Sequence, residues 1–185
     1  SNSREKNNTP LVSIVGYTNA GKSTLLKKLT NAEAYVADEL FATVDSLQRE
    51  LKINDIKDPL IISDTVGFIQ NLPTTLIESF KSTLLVATNA DLLIHVVDAA
   101  TAVPELHIST VTGILKQIGT TANELMVFNK IDKIDKASYN QLLEKYPNAI
   151  FISSLKNKGM PELIKSIAEE IYGETLIGKY LVKPK

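Results

Sequence analysis

Gly16-Tyr17-Thr18-Asn19-Ala20-Gly21-Lys22-Ser23 reads G-x-x-x-x-G-K-S and stands between the apolar run Leu11-Val12-Ser13-Ile14-Val15 and a helical pattern that starts at Thr24. Strand, glycine-bearing loop and helix, in that order, are the context in which this motif cradles phosphates. Glycines let the backbone curl until several N–H groups point inward, and a lysine with the following helix N-terminus adds positive charge for the β- and γ-phosphates of a nucleoside triphosphate. Gly16, Asn19, Ala20, Gly21, Lys22, Ser23 and Thr24 are therefore candidate nucleotide-binding residues. Lys22 is also a candidate catalytic residue, and Ser23 is the expected Mg²⁺ ligand. A plain glycine turn is the competing reading of the string alone, and the flanking strand and helix weigh against it.

The loop does not distinguish ATP from GTP, so the base must be read elsewhere. Asn129-Lys130-Ile131-Asp132 follows the apolar run Leu125-Met126-Val127-Phe128, which places it at a strand's carboxyl end, where open α/β sheets bind ligands. There Asp132 can accept from the N1–H and the exocyclic amine of guanine. Adenine has no donor at either position and would leave a buried carboxylate unpaired, and sites built on hydrogen bonding reject such analogues by roughly 10⁴-fold or more. Asn129, Lys130 and Asp132 are the candidate base-binding residues, and GTP is the expected substrate.

Asp64-Thr65-Val66-Gly67 closes the run Leu60-Ile61-Ile62-Ser63. A strand-end carboxylate facing a phosphate loop can hold Mg²⁺, usually through water. Gly67 would then let a backbone N–H approach the γ-phosphate. Thr43, between the first helix and the next strand, is the candidate second hydroxyl for Mg²⁺ and a switch residue, since it would reach the metal only with the γ-phosphate present. Spacing alone leaves Thr24, Thr30 and Thr65 open for that role.

The order of phosphate loop, threonine, D-x-x-G and N-K-x-D over residues 11 to about 172 resembles a translation-factor-class GTPase domain. Val36-Ala37-Asp38-Glu39-Leu40-Phe41-Ala42-Thr43-Val44-Asp45, Asp64-Thr65-Val66-Gly67-Phe68-Ile69, Leu72-Pro73, Phe80-Lys81-Ser82-Thr83-Leu84 and Ala90-Asp91-Leu92-Leu93-Ile94-His95-Val96-Val97-Asp98-Ala99 are similar to the G domain of HflX-type GTPases. The resemblance implies an α/β, three-layer P-loop GTPase fold with a mostly parallel six-stranded sheet and one antiparallel edge strand. It also implies GTP hydrolysis with Mg²⁺, and association with the large ribosomal subunit. Family members carry an additional N-terminal domain that this sequence does not show, so ribosome contact is expected to be weakened or gone.

Three positions qualify the chemistry. Phe68 follows Gly67 where Ras-like enzymes carry the glutamine that orients the attacking water, and a phenyl ring cannot do so. Slow intrinsic turnover is expected, and packing of Phe68 and Ile69 against the sheet is the alternative role for these residues. Asn19 occupies the position where an asparagine helps hold K⁺ near the phosphates in several bacterial GTPases that the loop is similar to, which implies modest K⁺ stimulation. Ser153-Ser154-Leu155 stands where the family usually reads Ser-Ala-Lys. The resemblance gives Ser154 a backbone N–H contact to the guanine oxygen and Leu155 an apolar contact with the base.

A length of 185 residues with 44% hydrophobic content fits one α/β domain with a sizeable core. Zero cysteines exclude disulfides and thiolate metal sites, which suits a cytoplasmic protein. No apolar run approaches the roughly 20 residues that span a bilayer, and the polar start does not read as a signal peptide. With a net charge of −1 and scattered lysines there is no basic patch for DNA, and a ribosomal partner follows from resemblance only.

Strand and helix patterns alternate along residues 10–173, which calls for a mostly parallel sheet with helices on both faces. From Leu47 to Ile53 apolar and polar residues alternate, which predicts an edge strand paired antiparallel with residues 60–64. Residues 92–97 and 149–152 read as buried strands. A switch helix is expected from Thr74 or Thr75. Leu163, Ile164, Ile167 and Ile171 form the inner stripe of a last helix ending near Gly173. Residues 1–9 are expected to be a flexible lead whose first residues are a cloning remnant, and 174–185 a tail or an added edge strand. His95 reads as a core residue and His107 as a surface residue. A second functional reading stays open: a nucleotide-dependent binding module with negligible turnover and a non-ribosomal partner.

Overall fold

Leu11-Val12-Ser13-Ile14-Val15-Gly16 forms strand β1 (Leu11–Gly16) of the computed structural model and is buried at every position. A strand buried on both faces needs a partner at each edge and helices above and below, the condition met by parallel sheets. Its one hydroxyl is accommodated by pairing, since Ser63 donates to Ser13 Oγ at 3.3 Å with both side chains fully buried. The structure describes residues 9–30, 48–53, 56, 59–64 and 87–173. After β1 come α1 (Lys22–Thr30), β2 (Gln48–Leu51), β3 (Leu60–Asp64), β4 (Leu92–Asp98), α2 (Pro104–Ile118), β5 (Asn123–Asn129), a 3₁₀ turn (Ile131–Lys133), α3 (Lys136–Lys145), β6 (Ile150–Phe151) and α4 (Met160–Tyr172).

The strands lie in the order β2-β3-β1-β4-β5-β6. All neighbours are parallel except β2 and β3, so the antiparallel edge expected from the alternating pattern is present. In β2 only Leu51 is buried, and Gln48, Arg49 and Glu50 are exposed, as an edge strand allows. Chain order turns back at β1, which has β3 on one side and β4 on the other. Loops leaving the carboxyl ends on either side of such a switch point diverge and open a crevice, the usual ligand site of an open α/β sheet.

Side-chain alternation assigns the helices to faces. Val12, Ile14, Ile62, Ile94 and Val96 meet Leu25, Leu26 and Leu29 of α1 and Leu163, Ile167 and Ala168 of α4 in one cluster. On the opposite face Val15 and Leu93 meet Val111, Ile114 and Leu115 of α2, while Val97 and Phe128 gather Leu142 and Tyr146 around α3. The result is three layers. Leu163 and Ile167 are buried and Ile164 and Ile171 half-buried, so the inner stripe of α4 is the one its spacing predicts.

Some boundaries differ from expectation. α1 begins at Lys22 rather than Thr24, which brings Lys22 and Ser23 into the first helical turn, where backbone N–H groups lack partners within the helix. β6 has two residues rather than four, because Ser153 leaves the sheet to bridge Lys158. The Ile152 N–H still donates to Phe128 O at 2.8 Å, so that backbone stays anchored to β5. His95 lies in the core, with Nδ1 2.5 Å from Glu124 Oε1. Thr43, Gly67, Phe68, Ile69, the expected switch helix and the tail at 174–185 lie outside the described residues.

Candidate functional site

Three loops at the carboxyl ends of the strands are tied to one another by side chains of Asn129 and Lys130. Asn129 is buried at the end of β5. Its Nδ2 donates to Ala20 O at 3.1 Å, and its Oδ1 accepts from the Ser154 N–H at 3.0 Å and from Ser154 Oγ at 3.2 Å. One amide therefore joins the 16–23 loop to the 153–156 loop. Lys130 adds a second tie, with Nζ donating to Asn19 O at 2.5 Å and to Asp98 Oδ2 at 3.2 Å. Lys133, which lines the cleft, and Asp98, which anchors Lys130, were not among the residues singled out from sequence. Asp98 ends β4 as Asp64 ends β3, so the strand-end rule could have found it once β4 was known to neighbour β5.

The 16–23 loop has left-handed backbone at Asn19 (φ 63°) and Gly21 (φ 92°), the kind of alternation in which consecutive N–H groups form an anion-binding concavity. Gly21 is required twice over. Its φ is unfavourable for any residue with a side chain, and a Cβ there would stand 2.3 Å from Asn129 Nδ2. A Cβ at Gly16 would stand 2.6 Å from Val96 O. Strain at such a backbone position costs of order 1–3 kcal/mol, and a lost hydrogen bond from Asn129 adds about 1 kcal/mol. Gly21→Ala is accordingly expected to lower the melting temperature by roughly 5–10 °C, read in a thermal melt. It is also expected to weaken GDP binding about tenfold or more, read by titration.

Lys22 is buried, and burial pushes its ammonium below the ordinary lysine value, with the Asp64 carboxylate opposing that shift. Ser23 Oγ donates to Asp64 Oδ2 at 3.3 Å. A hydroxyl and a buried carboxylate at this spacing offer hard oxygen donors that fit Mg²⁺, which takes one or two protein ligands and completes its shell with water and phosphate oxygens. Thr43, the other expected ligand, lies outside the described residues.

Gly21, Thr24, Asn129, Lys130, Asp132, Lys133, Ser153, Ser154 and Leu155 line one cleft. Asp132 departs from the sequence argument in being exposed at the rim rather than buried. It is held by Ser153 Oγ, which donates to Oδ1 at 2.6 Å, and this bond, chief among its causes, keeps the carboxyl below the usual carboxylate range. An ionised carboxylate only accepts, so it suits donors on an incoming base. The Ser154 N–H, assigned by resemblance to the guanine oxygen, is donated to Asn129 Oδ1 in this structure. Leu155 is 63% exposed beside the cleft, an apolar surface without a cover in the described residues. His107, expected at the surface, is half-buried because α2 lies against the end of β1 and brings its ring onto Tyr17.

Residues 11–130 match the family described as 50S ribosome-binding GTPase. The chain belongs to this family of GTPases. It is 43% identical to the GTPase HflX of Caldanaerobacter subterraneus subsp. tengcongensis over 96% of its own length and 40% of that protein's. With the GTPase HflX of Escherichia coli it shares 41% identity, over 93% of its own length and 41% of the relative's. The chain thus spans about two fifths of the curated relatives it matches. Among solved structures, a GTP-binding protein of Sulfolobus solfataricus in complex with GDP is similar with a TM-score of 0.63 and 29% identity, covering 90% of this chain and 54% of that one. A point variant of Aquifex aeolicus Era, bound to GDP and AlF4⁻, has the same fold at a TM-score of 0.66 and 24% identity, covering 96% of this chain and 58% of that one. Gly21, in the loop that Asn129 ties to the 153–156 loop, thus lines the same cleft as Asp132.

Proposed function

We propose that the chain is the GTP-binding and GTP-hydrolysing switch domain of an HflX-like GTPase that acts in the cytoplasm with the large ribosomal subunit. The observation that carries this reading is Asn129, whose one amide joins the phosphate loop to the loop that holds Asp132 through Ser153. A cleft organised in this way binds triphosphate and base as a unit. In this reading Asp132 accepts from the guanine N1–H and amine, and Leu155 lies against the ring. The Lys22 ammonium and the loop N–H groups hold the β- and γ-phosphates, and their fixed charge favours the transition state in which a water oxygen bonds to the γ-phosphorus as its bond to the bridging oxygen breaks, GDP leaving with that oxygen and the water's proton passing to the released phosphate. Ser23, Asp64 and Thr43 would hold Mg²⁺, which would supply positive charge against the phosphate oxygens. Gly67 is assigned the γ-phosphate contact.

Single-turnover GTP hydrolysis by the chain, alone and with large ribosomal subunits, tests the proposal. A slow rate in the chain alone is the expected result, and acceleration by subunits would place ribosome contact within this domain. No rate above background in either condition would leave a binding module that works through its bound state. Asn19, exposed in the loop, carries the K⁺ assignment. Hydrolysis is expected to run modestly faster in K⁺ than in a matched Na⁺ buffer, and equal rates would remove that role.

A further inference from the structure

We propose that His107 is a positioning residue for phosphate binding, holding the start of the phosphate loop through a face-to-face stack with Tyr17. The two rings lie 3.8 Å apart between centroids and within 3° of parallel. Tyr17 is the loop's second residue, directly after the end of β1, and its carbonyl accepts from the Ala20 N–H at 3.3 Å, which closes the first turn of the cradle.

The loop needs such a hold. Asn19, a residue with a side chain, stands in the left-handed region, a conformation that persists where the surroundings hold it. From the β5 side, Lys130 grips Asn19 O and Asn129 grips Ala20 O. From the other side of β1 the grip is aromatic. His107 lies one turn into α2, an element fixed on the sheet by Val111, Ile114 and Leu115 against Val15 and Leu93, and Tyr17 packs on that same cluster. The stack therefore fastens the loop to a helix that has no part in the cleft lining. Burial, the larger influence, lowers the His107 pKa while Asp98 raises it, which favours the neutral ring in the stack.

A loop held from both sides presents its N–H groups with less ordering cost when phosphates arrive, whereas the guanine end, positioned by Asn129 and Ser153 from the β5 side, depends on the stack much less. The inference rests on the functional reading above, and the two fail separately. Binding of GDP and of guanosine, which has no phosphates, would be titrated for the wild-type chain, His107→Leu, His107→Phe, Tyr17→Leu and the double variant Tyr17→Leu/His107→Leu. From the usual strength of an aromatic pair, His107→Leu is expected to weaken GDP about three- to tenfold with guanosine unchanged. His107→Phe keeps a ring and is expected to stay within about twofold of wild type. The double variant is expected to bind GDP no worse than Tyr17→Leu, because the two side chains act as one unit. An unchanged GDP affinity in His107→Leu, a parallel loss of guanosine, failure of the ring to rescue, or additive losses in the double variant would each overturn the role of His107. A wild-type chain that did not bind GDP would sink the functional reading and this inference with it.

Discussion

Asp132→Asn is expected to raise the Kd for GDP on the order of 10³-fold and to gain binding of XDP. The carboxylate is held by Ser153 Oγ at 2.6 Å, and its lowered pKa leaves it ionised and able only to accept. In the proposed function guanine meets it with two donors. An amide oxygen can still take the Ser153 bond, but the amide NH₂ then faces the purine and opposes the donors of guanine, while the C2 carbonyl of xanthine accepts from it. Sites that recognise a base by hydrogen bonds lose roughly 10⁴-fold when a pair is left unmatched, and the rim exposure of Asp132 moderates that figure here. Calorimetric titration of wild type and variant with GDP and XDP reads the result. Equal GDP affinity in the two would show that the base is selected elsewhere.

Lys22→Met is expected to lower kcat/KM for GTP by about 10²–10³-fold, the usual loss on removing one preorganised charge or donor from a transition state. Methionine keeps the apolar stem of the side chain and lacks only the ammonium group, so the change removes the charge and its donors with little loss of packing. The same variant makes a prediction about stability. Desolvation, the first cause, lowers the Lys22 pKa, so the folded chain holds that proton less tightly than the unfolded chain does. Between the lowered value and the ordinary 10.5 the unfolded state binds more protons, and folding stability rises with pH across that window. The stability contributed is complete above 10.5 and is lost as pH falls through the folded pKa. Denaturant unfolding of both chains at successive pH values up to 10.5 is therefore expected to show the wild type gaining on Lys22→Met as pH rises. A constant difference would mean that the ammonium is not desolvated in the folded state.

Both variants lie in motifs that local chemistry makes readable. Gly16–Ser23 needs particular residue types for reasons that act within a few residues: a backbone that curls, a charge at a helix start, a hydroxyl in the first turn. The N-K-I-D string is readable for the same reason, because a strand leads into it. The edge strand β2 was legible from alternation, since one exposed face imposes period two. Other features depend on which strand lies beside which. Asp98 faces Lys130 because β4 pairs with β5, in a register that sets Asp98 opposite Asn129. Tyr17 meets His107, far along the chain, because α2 crosses the face of β1 that carries Val15. The exposure of Asp132 and the commitment of the Ser154 N–H to Asn129 were equally out of reach, since spacing says which groups can meet but not which are already paired.

What the chain determines by itself is the chemistry each loop can offer: anion-binding N–H groups and a lysine after β1, an acceptor for guanine after β5, hard oxygens at Ser23 and Asp64. What the tertiary structure alone decides is how those loops are held together, through the Asn129 amide, the Lys130–Asp98 pair and the Tyr17–His107 stack. The division follows from range. Backbone conformation, helix termini and side-chain donor types are set by neighbours in sequence, whereas pairing across strands and faces is chosen only when the whole sheet buries its apolar surface.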